Sequence, residues 1–179
     1  MNISDIINSM SIDEMKERLT AYMEADKQFA AHPVGVEVRM RPMIQRNGRY
    51  AVLLLLSDGT EKEVLFPDRY SRLVYIYTLM HPEGYQRRKL EANGCCVLCQ
   101  LYSQVYFRDA DSLLKSVNRA GFDHFFSQAV AQSRVAIRKA NAHADDLVIA
   151  GPQQYGGKTL IPFAQHQDQI IIDQTLVSL

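Results

Sequence analysis

No stretch of this chain is apolar for long enough to cross a bilayer: the longest run, Ala51 to Leu56, falls far short of the roughly 20 residues a spanning helix needs. The N-terminus carries Asp5 and no basic segment ahead of an apolar one, so neither a membrane span nor an export signal is expected. Cysteine is scarce. The three residues, Cys95, Cys96 and Cys99, are odd in number and crowded together, which makes a poor disulfide framework and suits a reducing compartment such as the cytoplasm. Net charge is absent as well, with 20 basic against 20 acidic side chains, and this argues against indiscriminate binding of polyanions.

The short motifs of catalysis are also missing. There is no Gly-x-Ser-x-Gly elbow, and Gly156-Gly157-Lys158-Thr159 ends like a phosphate-binding loop without the earlier glycine or the following helix. The histidines, His32, His81, His124, His143 and His166, are scattered without the His-x-x-x-His spacing of a metal or catalytic pair. Cys96 and Cys99 have the Cys-x-x-Cys spacing of zinc and redox sites. A structural zinc needs four ligands, however, and no second pair exists, so packing on a helix face is the preferred reading and a metal or redox role the alternative. No enzymatic activity and no cofactor is expected.

What is present is enough apolar material, 47% of 179 residues, for one domain with an appendage. The neutral total also conceals an uneven distribution. Residues 1–33 hold three basic and six acidic side chains, residues 144–179 one and four, and residues 34–143 sixteen and ten. The middle is therefore +6 between flanks of −3 each, the sign expected of a central module that meets phosphates, although ordinary surface variation would give the same figures.

Ser11 and Glu14 form a capping-box pattern ahead of Ile12, Met15, Leu19, Tyr22 and Met23, so an amphipathic helix is predicted over residues 11–30, with a shorter helix before it. His32-Pro33 ends that pattern. Val36, Val38 and Met40 then alternate with Glu37, Arg39 and Arg41, which predicts a half-buried strand from Val34. Residues 50–56 and 60–66 read as two more strands joined at Ser57-Asp58-Gly59, where Asp-Gly supplies the positive φ that a tight hairpin needs.

Pro67-Asp68 opens a helix whose Tyr70, Leu73, Val74, Tyr77 and Met80 share one face, ended by His81-Pro82-Glu83-Gly84. After the basic stretch Gln86-Arg87-Arg88-Lys89 comes a second helix marked by Leu98, Leu101, Tyr102, Val105 and Tyr106, then a short one through residues 112–117. The longest helix of this half spans about residues 123–142, burying Phe126, Ala129, Val130, Ser133, Ile137 and Ala140. Strand-like residues 147–150, 159–163 and 169–172 follow, with a Gly- and Gln-rich loop between the first two. The expected class is α+β: residues 1–33 an N-terminal helical segment, residues 34–179 an antiparallel sheet, three or four helices and a C-terminal β-hairpin.

Steps of 100° along residues 123–142 gather Gln128, Ala131, Gln132, Val135, Arg138 and Lys139 on the side away from the apolar face, with Arg134 on the flank. No carboxylate occurs between Asp123 and Asp145. A helix entering the major groove needs small residues for close approach, amides for adenine, Arg or Lys for guanine and phosphate, and no repelling carboxylates. A solvated helix face is the plainer alternative, though such faces usually mix in Glu for intrahelical pairs.

This order of elements resembles the OmpR-type winged helix-turn-helix over about residues 34–173. The matching stretches are Glu63-Val64-Leu65-Phe66 leading into the first helix, Ile137-Arg138-Lys139 ending the third, and Leu147-Val148-Ile149 beginning the wing. The resemblance implies a bacterial-type transcription regulator whose third helix sits in the major groove while the wing touches the adjacent minor groove or phosphates. The chain departs from that family at an extra helical insertion over residues 109–120, at Tyr155-Gly156-Gly157 in the wing, and in having only a short acidic segment before the sheet. Residues expected to touch double-stranded DNA are Gln128, Gln132, Arg134, Arg138, Lys139, Lys158, Arg87 and Arg88. The rival expectation is a protein-interaction module on the same fold. On either reading the acidic N-terminal helix is a candidate surface for a homodimer or a protein partner, and no membrane is involved.

Overall fold

The computed structural model describes residues 11–29, 31–45, 48–152, 156–165 and 169–177; the short helix expected ahead of Ser11 and the wing-loop residues 153–155 lie outside these. The chain divides into Met1–Ala31 and His32–Leu179, two residues from the boundary drawn on the sequence.

The first unit contains α1 (Ile12–Phe29). Its capping box is formed: the Ser11 N–H donates to Glu14 Oε2 at 2.8 Å and the Glu14 N–H donates to Ser11 Oγ at 3.2 Å. Ser11 thereby holds the Glu14 carboxyl below its ordinary range. Ile12, Met15 and Leu19, the start of the apolar stripe, are exposed.

The second unit is built on a mixed sheet of order β3-β2-β1-β4, from β1 (Pro33–Gln45), β2 (Gly48–Leu56), β3 (Glu61–Glu63) and β4 (Ile170–Ile172). The alternation in β1 holds: Val36 and Val38 are buried opposite Leu54 and Val52, while Arg39 is exposed. On the outer face Arg39 binds Glu37 and Glu61, and Arg41 binds Glu63. These pairs reach from β1 to β3 across β2, where Ala51 and Leu53 are only 6% and 9% exposed, so the hydrocarbon stems of the long side chains help to shield that apolar surface. The hairpin turns at Gly59, φ +81°, with the Leu56 N–H donating to the Thr60 carbonyl, a three-residue loop with glycine in the left-handed position.

Asp68 caps α2 (Arg69–Leu79), its Oδ1 accepting the N–H groups of Tyr70 and Ser71 at 2.8 Å each. From Ser71 to Leu79 every residue of α2 is buried, so it is the central helix, packed against α4 (Cys96–Tyr106) and α6 (Phe122–Ala140). Polar groups within it find partners in the core, although Arg72 Nε is buried without a hydrogen bond: Tyr75 donates its hydroxyl to the Leu147 carbonyl at 2.9 Å, and the Arg72 guanidinium, pushed down to about 10 by burial, donates from a terminal nitrogen to the Tyr50 carbonyl. Leu98, Leu101, Tyr102 and Val105 of α4 are buried as their spacing predicts, and α5 (Asp111–Ala120) occupies the expected insertion.

Three features differ from the expectation. The basic stretch is helical, forming α3 (Arg87–Ala92). The third strand is shorter, Glu61–Glu63 rather than residues 60–66. The C-terminal hairpin is reduced to one bridge, Ala150 with Leu160, beside a second, Tyr85 with Thr159. Around those bridges Asp145–Leu147 and Pro162–Gln165 wind into 3-10 turns, and the last strand-like segment leaves the hairpin to become β4, parallel to β1. Gly35 permits that pairing, since a Cβ there would stand 2.8 Å from the Gln169 carbonyl oxygen. The short α7 (Gln174–Val177) closes the described chain. The mixed α+β class stands, and no helix among the described residues is long and apolar enough to cross a membrane.

Candidate nucleic-acid interface

Gly121, at φ +79°, separates α5 from α6 and lets the longer helix start in a new direction. The inner side of α6 buries Phe126, Ala129, Val130, Ser133, Ile137 and Ala140, as the periodicity predicts, and also Phe122, Phe125 and Ala136. Its helix is unbroken over 19 residues, and Gln128, Ala131, Val135, Arg138 and Lys139 are exposed, with Gln132 and Arg134 half-buried. The predicted outward face is therefore accessible.

The cationic residues differ in how they are held. Arg87, at the start of α3, donates to Thr159 Oγ1 at 3.3 Å and to Ser127 Oγ at 3.2 Å, and its guanidinium lies 4.7 Å from the centroid of the Phe126 ring. Arg134 donates from Nε to the Ile149 carbonyl at 2.8 Å. Burial first, then the charges of Arg138 and Arg87, push the Arg134 guanidinium below its usual range. Arg87 and Arg138 thus each stand near enough to Arg134 to act on its charge. Arg138 pairs with the Asp145 carboxylate at 2.9 Å, both side chains being exposed.

Lys158 donates to the Glu83 carbonyl at 3.2 Å, and the adjacent Thr159 both bridges to Tyr85 and accepts from Arg87. Arg88, Gln128, Gln132 and Lys139 make no hydrogen bond or ion pair with another described residue, leaving their polar ends to solvent. Of the sequence-derived residues the structure gathers Arg87, Arg134 and Arg138, and it brings Lys158 alongside through Thr159. Sequence reasoning missed the holders: Phe126 and Ser127, Thr159, the Ile149 carbonyl, and Asp145. Asp145, seven positions after Arg138 and beyond the end of α6, is the nearest of these in the chain.

The cysteines are placed otherwise. Cys95 is buried at the entry to α4 with φ +58°, Cys96 is exposed and Cys99 half-buried, all as free thiols. Burial pushes the Cys95 and Cys99 thiols up, away from the reactive thiolate. Among the described residues no three His, Cys, Asp or Glu side chains are grouped to hold a metal ion.

Compared with known proteins, the chain matches no protein-family model, no curated protein and no solved structure.

Proposed function

We propose that this is a cytoplasmic, non-catalytic regulator that binds double-stranded DNA through a winged-helix-like unit of the OmpR type, with α6 in the major groove. The observation that carries the reading is the placing of Arg87 and Arg138 near Arg134, beside an outward α6 face that bears the exposed Gln128 amide, the half-buried Gln132 amide and no carboxylate from Gln128 to Lys139. Like charges held together raise the free energy of the unbound protein, and a polyanion relieves that cost. Gln128 and Gln132 read base edges, Arg138 and Lys139 phosphates or guanine, and Arg87, Arg88 and Lys158 the flanking backbone. The bridge from Ala150 to Leu160 supports a wing, a two-strand arm reduced to its base. Arg134, tied to the Ile149 carbonyl, braces that arm against the helix more than it reads DNA.

A second reading, docking of a protein partner on the same helix, is favoured by Val135, which is 60% exposed in the middle of the face. On both readings α1 supplies a self-association or partner surface through Ile12, Met15 and Leu19.

Fluorescence anisotropy with a duplex from the region upstream of the coding sequence, at about 50 and about 200 mM salt, tests the DNA reading; affinity is expected to fall steeply between the two. Absence of salt-dependent binding to any duplex leaves the protein-docking reading. Sedimentation with and without Leu19→Glu reports on the α1 surface, and an unchanged mass removes it from self-association.

A further inference from the structure

A pocket of about 700 Å³ opens between the C-terminal end of α2, the start of α4, and β4. Its apolar walls are Leu79, Met80, Val97, Leu101, Ile170 and Ile172. The size lies within the range of pockets that enclose small organic ligands, and Met80 can reshape itself around an irregular guest. The polar groups in the wall are few. His81 is fixed by the 2.8 Å contact of its Nδ1 with the Tyr77 carbonyl and by stacking on the Tyr77 ring at 4.2 Å, and Gln100 is exposed on α4.

A second hollow, of about 340 Å³, has Tyr77 and Val97 in its wall too, so the pair adjoin at those side chains. Its lining is also largely apolar, with Tyr85 and Leu90, but it adds Lys89, Lys158, Gln86 and Asn93. The Lys158 ammonium is steadied by the Glu83 carbonyl, while Lys89 has no partner among the described residues. The Glu83 carboxylate acts on Tyr77, which the two hollows share.

We infer that the paired hollows form a binding site for a small amphipathic organic acid, its hydrocarbon or aromatic body in the larger hollow and its carboxylate at Lys89 and Lys158. The apolar walls favour burial of the body in proportion to its area. An anionic head gains charge-assisted hydrogen bonds that a neutral head does not. The inference does not depend on the DNA reading, although it shares Lys158 with it, because the walls and Lys89 take no part in that reading. It gives α3 a second use: Arg87 serves the α6 side, and Lys89 the hollow.

The test uses the full chain with anilinonaphthalene sulfonate as a fluorescent probe, displaced by decanoate or by decanol. Decanoate is expected to displace the probe saturably and more tightly than decanol. Lys89→Gln with Lys158→Gln, both changes at exposed ammonium groups, should weaken decanoate at least about tenfold while leaving decanol unchanged, the size of one to two lost charge-assisted bonds. Val97→Trp should close the larger hollow to both. Should that variant misfold, the methionine methyl spectrum of the unaltered protein answers instead: decanoate is expected to shift Met80 and leave Met15 and Met40 in place. Equal affinity for decanoate and decanol, or a double variant that binds decanoate as before, overturns the anionic assignment. Displacement without saturation, or a spectrum in which Met80 does not move, overturns the site.

Discussion

Arginine serves two opposite purposes in the two halves of the second unit. On the sheet, Arg39 and Arg41 lie across β2 and are answered by Glu37, Glu61 and Glu63, so that each cation is neutralised where it stands. Beside α6, Arg87 and Arg134 are held by a hydroxyl pair, an aromatic face and a carbonyl, none of which removes charge, and only Arg138 meets a carboxylate. A compensated guanidinium covers apolar surface and gains little from a partner in solution. An uncompensated one, fixed in place, offers its charge to whatever docks. The difference lies in the partners rather than in the residue type, which is why counting arginines along the chain does not locate an interface.

The contrast meets its hardest trial at Phe126, which is fully buried and also forms the floor under Arg87. Phe126→Ala should destabilise the unit by about 3–5 kcal/mol in urea denaturation. A loss below about 1 kcal/mol would mean that α6 is not seated on the core as described. Next in size, Arg138→Ala with Lys139→Ala should flatten the plot of log affinity for DNA against log salt by about two units. An unchanged slope would place both cations away from phosphate.

A smaller effect is expected where β4 meets β1. The Asp173 carboxyl is held below its ordinary range by the Thr175 hydroxyl first, and by the N–H groups of Thr175 and Met40. Its folded pKa being depressed, the stability it contributes is complete above the ordinary carboxylate pKa and is lost as pH falls through the lower folded value. Asp173→Asn should therefore lower the melting temperature near neutrality and make the acid limb of its pH profile shallower, whereas parallel profiles would assign the bond no role. The smallest change belongs to the sheet: Glu61→Gln leaves Arg39 its Glu37 partner, and the urea midpoint should not move measurably. A clear drop there would show the outer-face pairs to be structural supports rather than a cover.

Local patterns in the chain carried most of these elements. Ser11 with Glu14, Asp68 ahead of Tyr70, and the three- and four-residue recurrence of Phe126, Ala129, Val130, Ser133 and Ile137 each act within one or two turns, and each is found as read. The failures came where pairing is distant. Residues 147–150 and 159–163 have the composition of strands, yet only Ala150 and Leu160 bridge between the two: Thr159 pairs with Tyr85, Tyr75 takes the Leu147 carbonyl and Arg134 takes that of Ile149. Residues 170–172 read as part of a hairpin but pair with Val36 to Val38, more than 130 positions earlier.

The amino-acid order was sufficient to fix which side of the long helix turns inward, since the period of an α-helix is a property of the backbone and the apolar residues obey it. It was sufficient as well for the caps, for the turn at Gly59 and for the absence of carboxylates from Gln128 to Lys139. Folding in three dimensions settled which cations stay uncompensated and where hollows open. Arg87 reaches Ser127 and Thr159 over 40 and 72 positions, and the walls that Met80, Val97 and Ile172 share come from three separate elements. Charge and void are both sums over neighbours in space, and a linear chain specifies those neighbours only once it has packed.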